Sequence, residues 1–202
     1  DTERGVQKYL RSDNTDAEVT NSGYVTQFNS DGYAIGGGGN INYDEMCSWT
    51  FRKQPGFLDI VTYTGNGTSG RTVAHSLGST PGMIIIKCTN NGGTTWAVWH
   101  RSLTSGKVLF LNNTDAESTQ GYFPSNPTAT NFTLGDSIHV NSQYELSYVA
   151  YVFAHDDQSF GTNSDESIIK CGSFTTDSNG FFTVDLGFEP QWLMYRRYDN
   201  GG

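Results

Sequence analysis

The string Thr-Asp-Ala-Glu occurs twice in 202 residues, at 15–18 and again 99 positions later at 114–117. Four residues match by chance often enough, but this likeness extends into its surroundings. Gly23-Tyr24 recurs as Gly121-Tyr122. TQFNSDG at 26–32 matches TNFTLGD at 130–136, which sets Phe28 against Phe132. SWTFRK at 48–53 falls on AYVFAH at 150–155, setting Trp49-Thr50-Phe51 against Tyr151-Val152-Phe153. The spacing drifts between about 98 and 104 residues, as it does when loops change length and strands do not.

A second series lies elsewhere. HSLGSTPGMIIIK at 75–87 resembles VDLGFEPQWLMYR at 184–196, with Leu77-Gly78 against Leu186-Gly187 and Pro81 against Pro190. Upstream, Tyr63-Thr64 stands against Phe174-Thr175, each followed by a Gly/Asn turn. Together the two series define a unit of about 100 residues, too long for a solenoid turn and the size of a small domain repeated in tandem. Its phase is shifted relative to the chain: 1–56 is the second half of a unit, 57–157 a whole unit and 158–202 a first half. Either the sequence is a window on a longer array, or the two halves complete each other, within one chain or between neighbours by strand exchange.

Composition narrows the class. Gly at 24 residues, few charged residues and an excess of Ser, Thr and Asn suit strands joined by many turns rather than helices. Hydrophobic residues are only 35% but aromatics reach 13%, so a core is available and is rich in rings. A net charge of −9 with no Lys/Arg cluster beyond pairs such as Arg52-Lys53 and Arg196-Arg197 argues against nucleic acid and anionic membranes as partners. Cys47, Cys88 and Cys171 are odd in number with no CxxC pair, against both a disulfide framework and a zinc site. No apolar run approaches the ~20 residues of a membrane span. The opening DTERGVQKYL has neither a signal peptide nor an initiator Met, and reads as processed, cut or part of something longer.

Alternation and turn residues predict strands at 58–63, 71–76, 82–87, 95–100, 107–112, 130–134, 146–154, 167–174, 181–186 and 191–197. GMIIIK and SYVAYVFA are apolar on both faces and are expected to be central strands. TWAVWH divides Trp96, Val98 and His100 from Ala97 and Trp99. The expected fold is all-β: antiparallel β-sandwich units of about 100 residues in tandem, circularly out of phase with the chain ends, with Greek-key links.

Chemistry is sparse. Asp156, Asp157, Asp165 and Glu166 in HDDQSFGTNSDES could ligate calcium, but the spacing fits no EF-hand and a solvated linker is the simpler reading. His75-Ser76, His100-Arg101-Ser102 and His155-Asp156 hold triad residue types without a GxSxG elbow. IGGGGN at 35–40 and GNGTSG at 65–70 lack a phosphate-loop lysine and read as turns. Trp96, Trp99, Tyr122 and Phe123 are the candidates for stacking on sugar rings, with core positions favoured. The expectation is a non-enzyme with no catalytic residues, cofactor or metal, and with its binding residues unassigned.

The stretches FLDIVTYTGNGTSGRTVAHSLGSTPGMIIIK, WAVWHRSL, LNNTDAE and YVAYVFAHDDQSFG resemble the tandem repeats of tail-fibre-like and other virion structural proteins of marine bacteriophages, including cyanophages. The likeness covers nearly the whole chain and departs from it at IGGGGNINYDEM. It implies a virion appendage, made in the bacterial host cytoplasm, that serves as spacer and host-surface adhesin. It further implies self-association as a trimer or head to tail, contact with other virion proteins and weak sites for host glycans multiplied by avidity. A stand-alone carbohydrate-binding sandwich, a polysaccharide depolymerase and a capsid decoration protein are the alternatives.

Overall fold

The computed structural model describes residues 1–37 and 45–199. The Gly-rich insert predicted to be a turn at 35–40 falls largely outside them.

Strands occupy β1 Lys8–Tyr9, β2 Val19–Thr20, β3 Val25–Phe28, β4 Tyr33–Ile35, β5 Leu58–Thr64, β6 Arg71–Ala74, β7 Met83–Cys88, β8 Ala97–His100, β9 Lys107–Phe110, β10 Ser118–Thr119, β11 Asn131–Leu134 and β12 Ser147–Phe153. The fold is all-β and every pairing is antiparallel. The middle segment builds a six-stranded sheet ordered β10-β9-β8-β7-β12-β5, faced by the two-stranded sheet β11-β6. The chain leaves the large sheet at β6, returns for the β7–β10 meander, leaves again at β11 and comes back as β12, which inserts between β5 and β7.

Period-2 alternation decides the two faces. Ile84, Ile86, Ala97, Trp99, Val108, Phe110, Ala150 and Val152 point inward against Val73, Phe132 and Leu134 of the small sheet, closing a sandwich core. Ile85, Trp96, Val98 and Leu109 point outward, where Leu10 and Tyr198 from the two chain ends pack on them. β7 and β12 are central and covered on both sides, as their two-faced apolar sequence requires.

The N-terminal segment repeats part of the middle one in three dimensions. Lys8 pairs with Thr20 in the β1–β2 hairpin as Lys107 pairs with Thr119 in β9–β10. The Asn14 side chain donates to the Asp16 carboxylate and accepts from the Asp16 amide, the same pair of bonds that Asn113 makes with Asp115. The turn entering each hairpin also corresponds: Gln7 has φ 63° where Gly106 has φ 77°. A left-handed glutamine costs roughly 1–2 kcal/mol that glycine avoids, partly offset by the greater unfolded entropy of glycine. Gln7→Gly is therefore expected to raise stability by about 0.5–1 kcal/mol in urea titrations, whereas Gly106→Gln should lower it.

The sequence expectation fails at 167–174, 181–186 and 191–197. None of these is a strand among the described residues, and Phe174, Phe181, Phe182, Val184, Trp192, Leu193, Met194 and Tyr195 are exposed. Their alternation is that of β5, β6 and β7, but no ladder partner is bonded to them. A strand pattern without a neighbouring strand has no ladder for its amides, and the few that are bonded, such as Cys171 and Phe181, use side chains of His155 and Asp177 instead.

Candidate functional site

The β1–β2 hairpin lies beside the large sheet, and a groove of about 530 Å³ opens where they meet. Glu3, Arg4, Lys8 and Glu18 form one wall; Thr62, Tyr63 and Thr64 of β5, with Asn90 and Ser147, form the other. Arg4 anchors the first wall through Asp1 at 2.6 Å and Glu18 at 2.6 Å, with Lys8 also on Glu18 at 3.2 Å. Tyr151 donates its hydroxyl to the Asp1 carboxylate at 2.7 Å, fixing the network to β12. Behind the groove Tyr148 stacks on Tyr63 with centroids 5.2 Å apart. Its hydroxyl donates to Ile138 O at 2.7 Å and accepts from Ser142 N at 2.9 Å, and burial pushes its pKa up to about 12. The walls can exchange hydrogen bonds with a polar ligand, but they contain no nucleophile paired with a base.

The triad residue types are not brought together as triads. Each of the four histidines accepts a backbone N–H on Nδ1: from Leu77 to His75, Ser102 to His100, Thr95 to His139 and Cys171 to His155. Neutral imidazole is needed for that role. Burial lowers the pKa of His75, His100 and His139, and the nearby charges of Arg101 and Lys87 lower the latter two further. The unfolded chain therefore binds protons that the folded one refuses. This stability is complete above pH ~6.5 and is lost as pH falls from there toward the lowered folded values. The urea midpoint is expected to drop between pH 7.5 and 5; a flat midpoint would remove the histidines from the balance.

The acidic loop does not gather into a cation site. Asp156 pairs with Lys170 at 3.4 Å, and no group of three or more His, Cys, Asp or Glu that could hold a metal exists among the described residues. Trp96, Trp99, Tyr122 and Phe123 are all buried, so they are core residues and not sugar platforms. Cys47, Cys88 and Cys171 are free; burial pushes the Cys171 thiol up to about 11, which removes it as a nucleophile. In GNGTSG, Gly65 and Gly67 let the turn approach the backbone of Ser142 and Gln143. The aromatics most open to solvent among the described residues are Trp49, Tyr144, Phe181, Trp192 and Tyr195, positions read from sequence as strands or not singled out.

One protein-family profile, described as Domain of unknown function (DUF7483), matches residues 1–202. The chain belongs to that family. No curated protein and no solved structure matches this DUF7483 chain. The single profile spans the middle sandwich together with both flanking segments.

Proposed function

We propose that this DUF7483 chain is a structural segment of a phage virion appendage, a tail fibre in the simplest case, acting as spacer and host-surface adhesin. The placement on a phage comes from the resemblance of the quoted stretches. The structural role is supported by one repeated contact. The amide of Glu18 bonds Thr89 O at 2.7 Å, and the amide of Glu117, its counterpart in the second Thr-Asp-Ala-Glu turn, bonds Tyr198 O at 2.8 Å. Thr89 and Tyr198 each follow an LGxxP glycine by the same number of residues. The chain thus uses one turn joint twice, as a structural protein assembled from repeated units does.

The test has two parts. Mass spectrometry of purified virions should find the protein, and its absence would end the proposal. Fluorescently labelled protein should then bind candidate marine bacterial cells saturably and strain-selectively, with unlabelled protein as competitor. Presence in virions without cell binding would leave the spacer role and remove the adhesin role. Saturable glycan binding by a protein absent from virions would favour the stand-alone carbohydrate-binding reading.

A further inference from the structure

We infer that residues 46–53 are the missing central strand of a second sheet, seated between 169–175 and 192–197 of the same chain, so that the two half-units close on each other in cis. This goes beyond the appendage reading and does not depend on it.

The first observation is register. In the middle sheet β12 lies between β5 and β7, with Phe153 opposite Met83. By the two series of sequence correspondences, Phe51 stands for Phe153 and Trp192 for Met83. The Phe51 and Trp192 rings are in edge contact, 6.0 Å between centroids. A pair that belongs together in the complete unit therefore meets across 141 positions of one chain (51 to 192).

The second observation is reciprocity. The first Thr-Asp-Ala-Glu turn docks on the end of β7, where Lys87 Nζ reaches Thr15 O at 3.3 Å. The second turn docks on the counterpart of β7, where Arg196, the counterpart of Lys87, bonds Asp115 O. An open array would set the preceding and following units at opposite sides of the middle one. Instead Leu10 from the first half-unit and Tyr198 from the last pack into one cluster on the outer face of the middle sheet. Both halves lie on the same face, as an isologous, closed contact requires and an open one does not.

The third observation is the surface left over. Trp49, Phe51, Trp192, Leu193 and Met194 are exposed on segments whose counterparts in β12 and β7 are largely buried. Pairing 46–53 with 192–197 covers apolar surface on both segments and bonds their amides. A second copy of the chain could offer the same strand, but the Phe51–Trp192 contact already commits it to its own chain.

The test is a cysteine pair, Phe51→Cys with Trp192→Cys, in a Cys47→Ser background where the buried Cys88 and Cys171 stay. At low micromolar concentration a short bismaleimide is expected to crosslink the pair within monomers, at least tenfold faster than Phe51→Cys paired with Asn179→Cys. Exclusively dimeric crosslinks would overturn closure in cis and assign the strand to a second copy. No crosslink in protein that still unfolds cooperatively would overturn pairing altogether. Hydrogen exchange on the unsubstituted protein decides the matter if the variant does not fold: monomer amides at 46–53 should exchange at least a hundredfold slower than free chain, and free-chain rates there would sink the inference.

Discussion

Phe132→Ala is expected to lower the free energy of unfolding by about 3–5 kcal/mol, the cost of a large buried ring removed from a site that cannot collapse around the gap. Phe132 is fully buried on β11, opposite Val73 of β6. Its ring lies 6.4 Å from those of Tyr63 and His75. A two-stranded sheet is marginal alone, so β6–β11 persists only through what it buries against the large sheet. Phe28, its sequence counterpart, is 37% exposed on β3, and β3 pairs with β4 rather than with a counterpart of β6. Phe28→Ala should therefore cost less than about 0.5 kcal/mol. Urea unfolding followed by tryptophan fluorescence measures both. Equal costs would mean that the N-terminal segment already has a sandwich core of its own.

That contrast also explains how far the sequence could be read. Alternation placed β5 to β9, β11 and β12 because each of those strands has one face on a core and a bonded neighbour, and both constraints leave a mark on residue order; the two-residue β10, Ser118–Thr119, is too short to show any period. Trp96 and Trp99 were divided correctly between the two faces, since the pleat alone fixes that. The same alternation at 181–186 and 191–197 was real but insufficient. Apolar period records what a segment is built to pair with, and Leu193 and Tyr195 have the pattern of buried Ile84 and Ile86 while standing exposed. The groove was not legible at all. Its walls are Arg4 and Glu18 on one side and Thr62 and Tyr63 on the other, far apart in the chain, and such common residue types at that separation carry no local signal. Lys87 was hidden for a related reason: a lysine closing the apolar run GMIIIK reads as a strand's solvated end, and only the packed structure shows it sealed.

Lys87→Met is expected to cost roughly 2–3 kcal/mol, because it leaves a buried carbonyl without its donor and releases the turn at 15–18. Lys87 is fully buried on the outer face of β7. Its ammonium donates to Thr94 O at 3.0 Å, Thr94 Oγ1 at 2.8 Å and Thr15 O at 3.3 Å. Burial pulls its pKa below the usual lysine value, so removing the charge recovers some desolvation energy, and methionine keeps the packing of the stem. That gain is limited, since all three donors are satisfied in place. Thr15 O retains a bond from Gly93 N at 2.9 Å, and Thr94 Oγ1 can still donate to Asn91 O at 3.1 Å, but Thr94 O loses its ammonium donor. Arg196→Met breaks the corresponding contact at the other end, where the side chain is only partly buried and water can replace it, so its global cost should be well below that of Lys87→Met. Hydrogen exchange separates the two. Lys87→Met should speed exchange at the Glu18 amide and leave Glu117 unchanged, and Arg196→Met should do the reverse. If each variant loosened both turns equally, the two joints would open as one cooperative unit rather than independently.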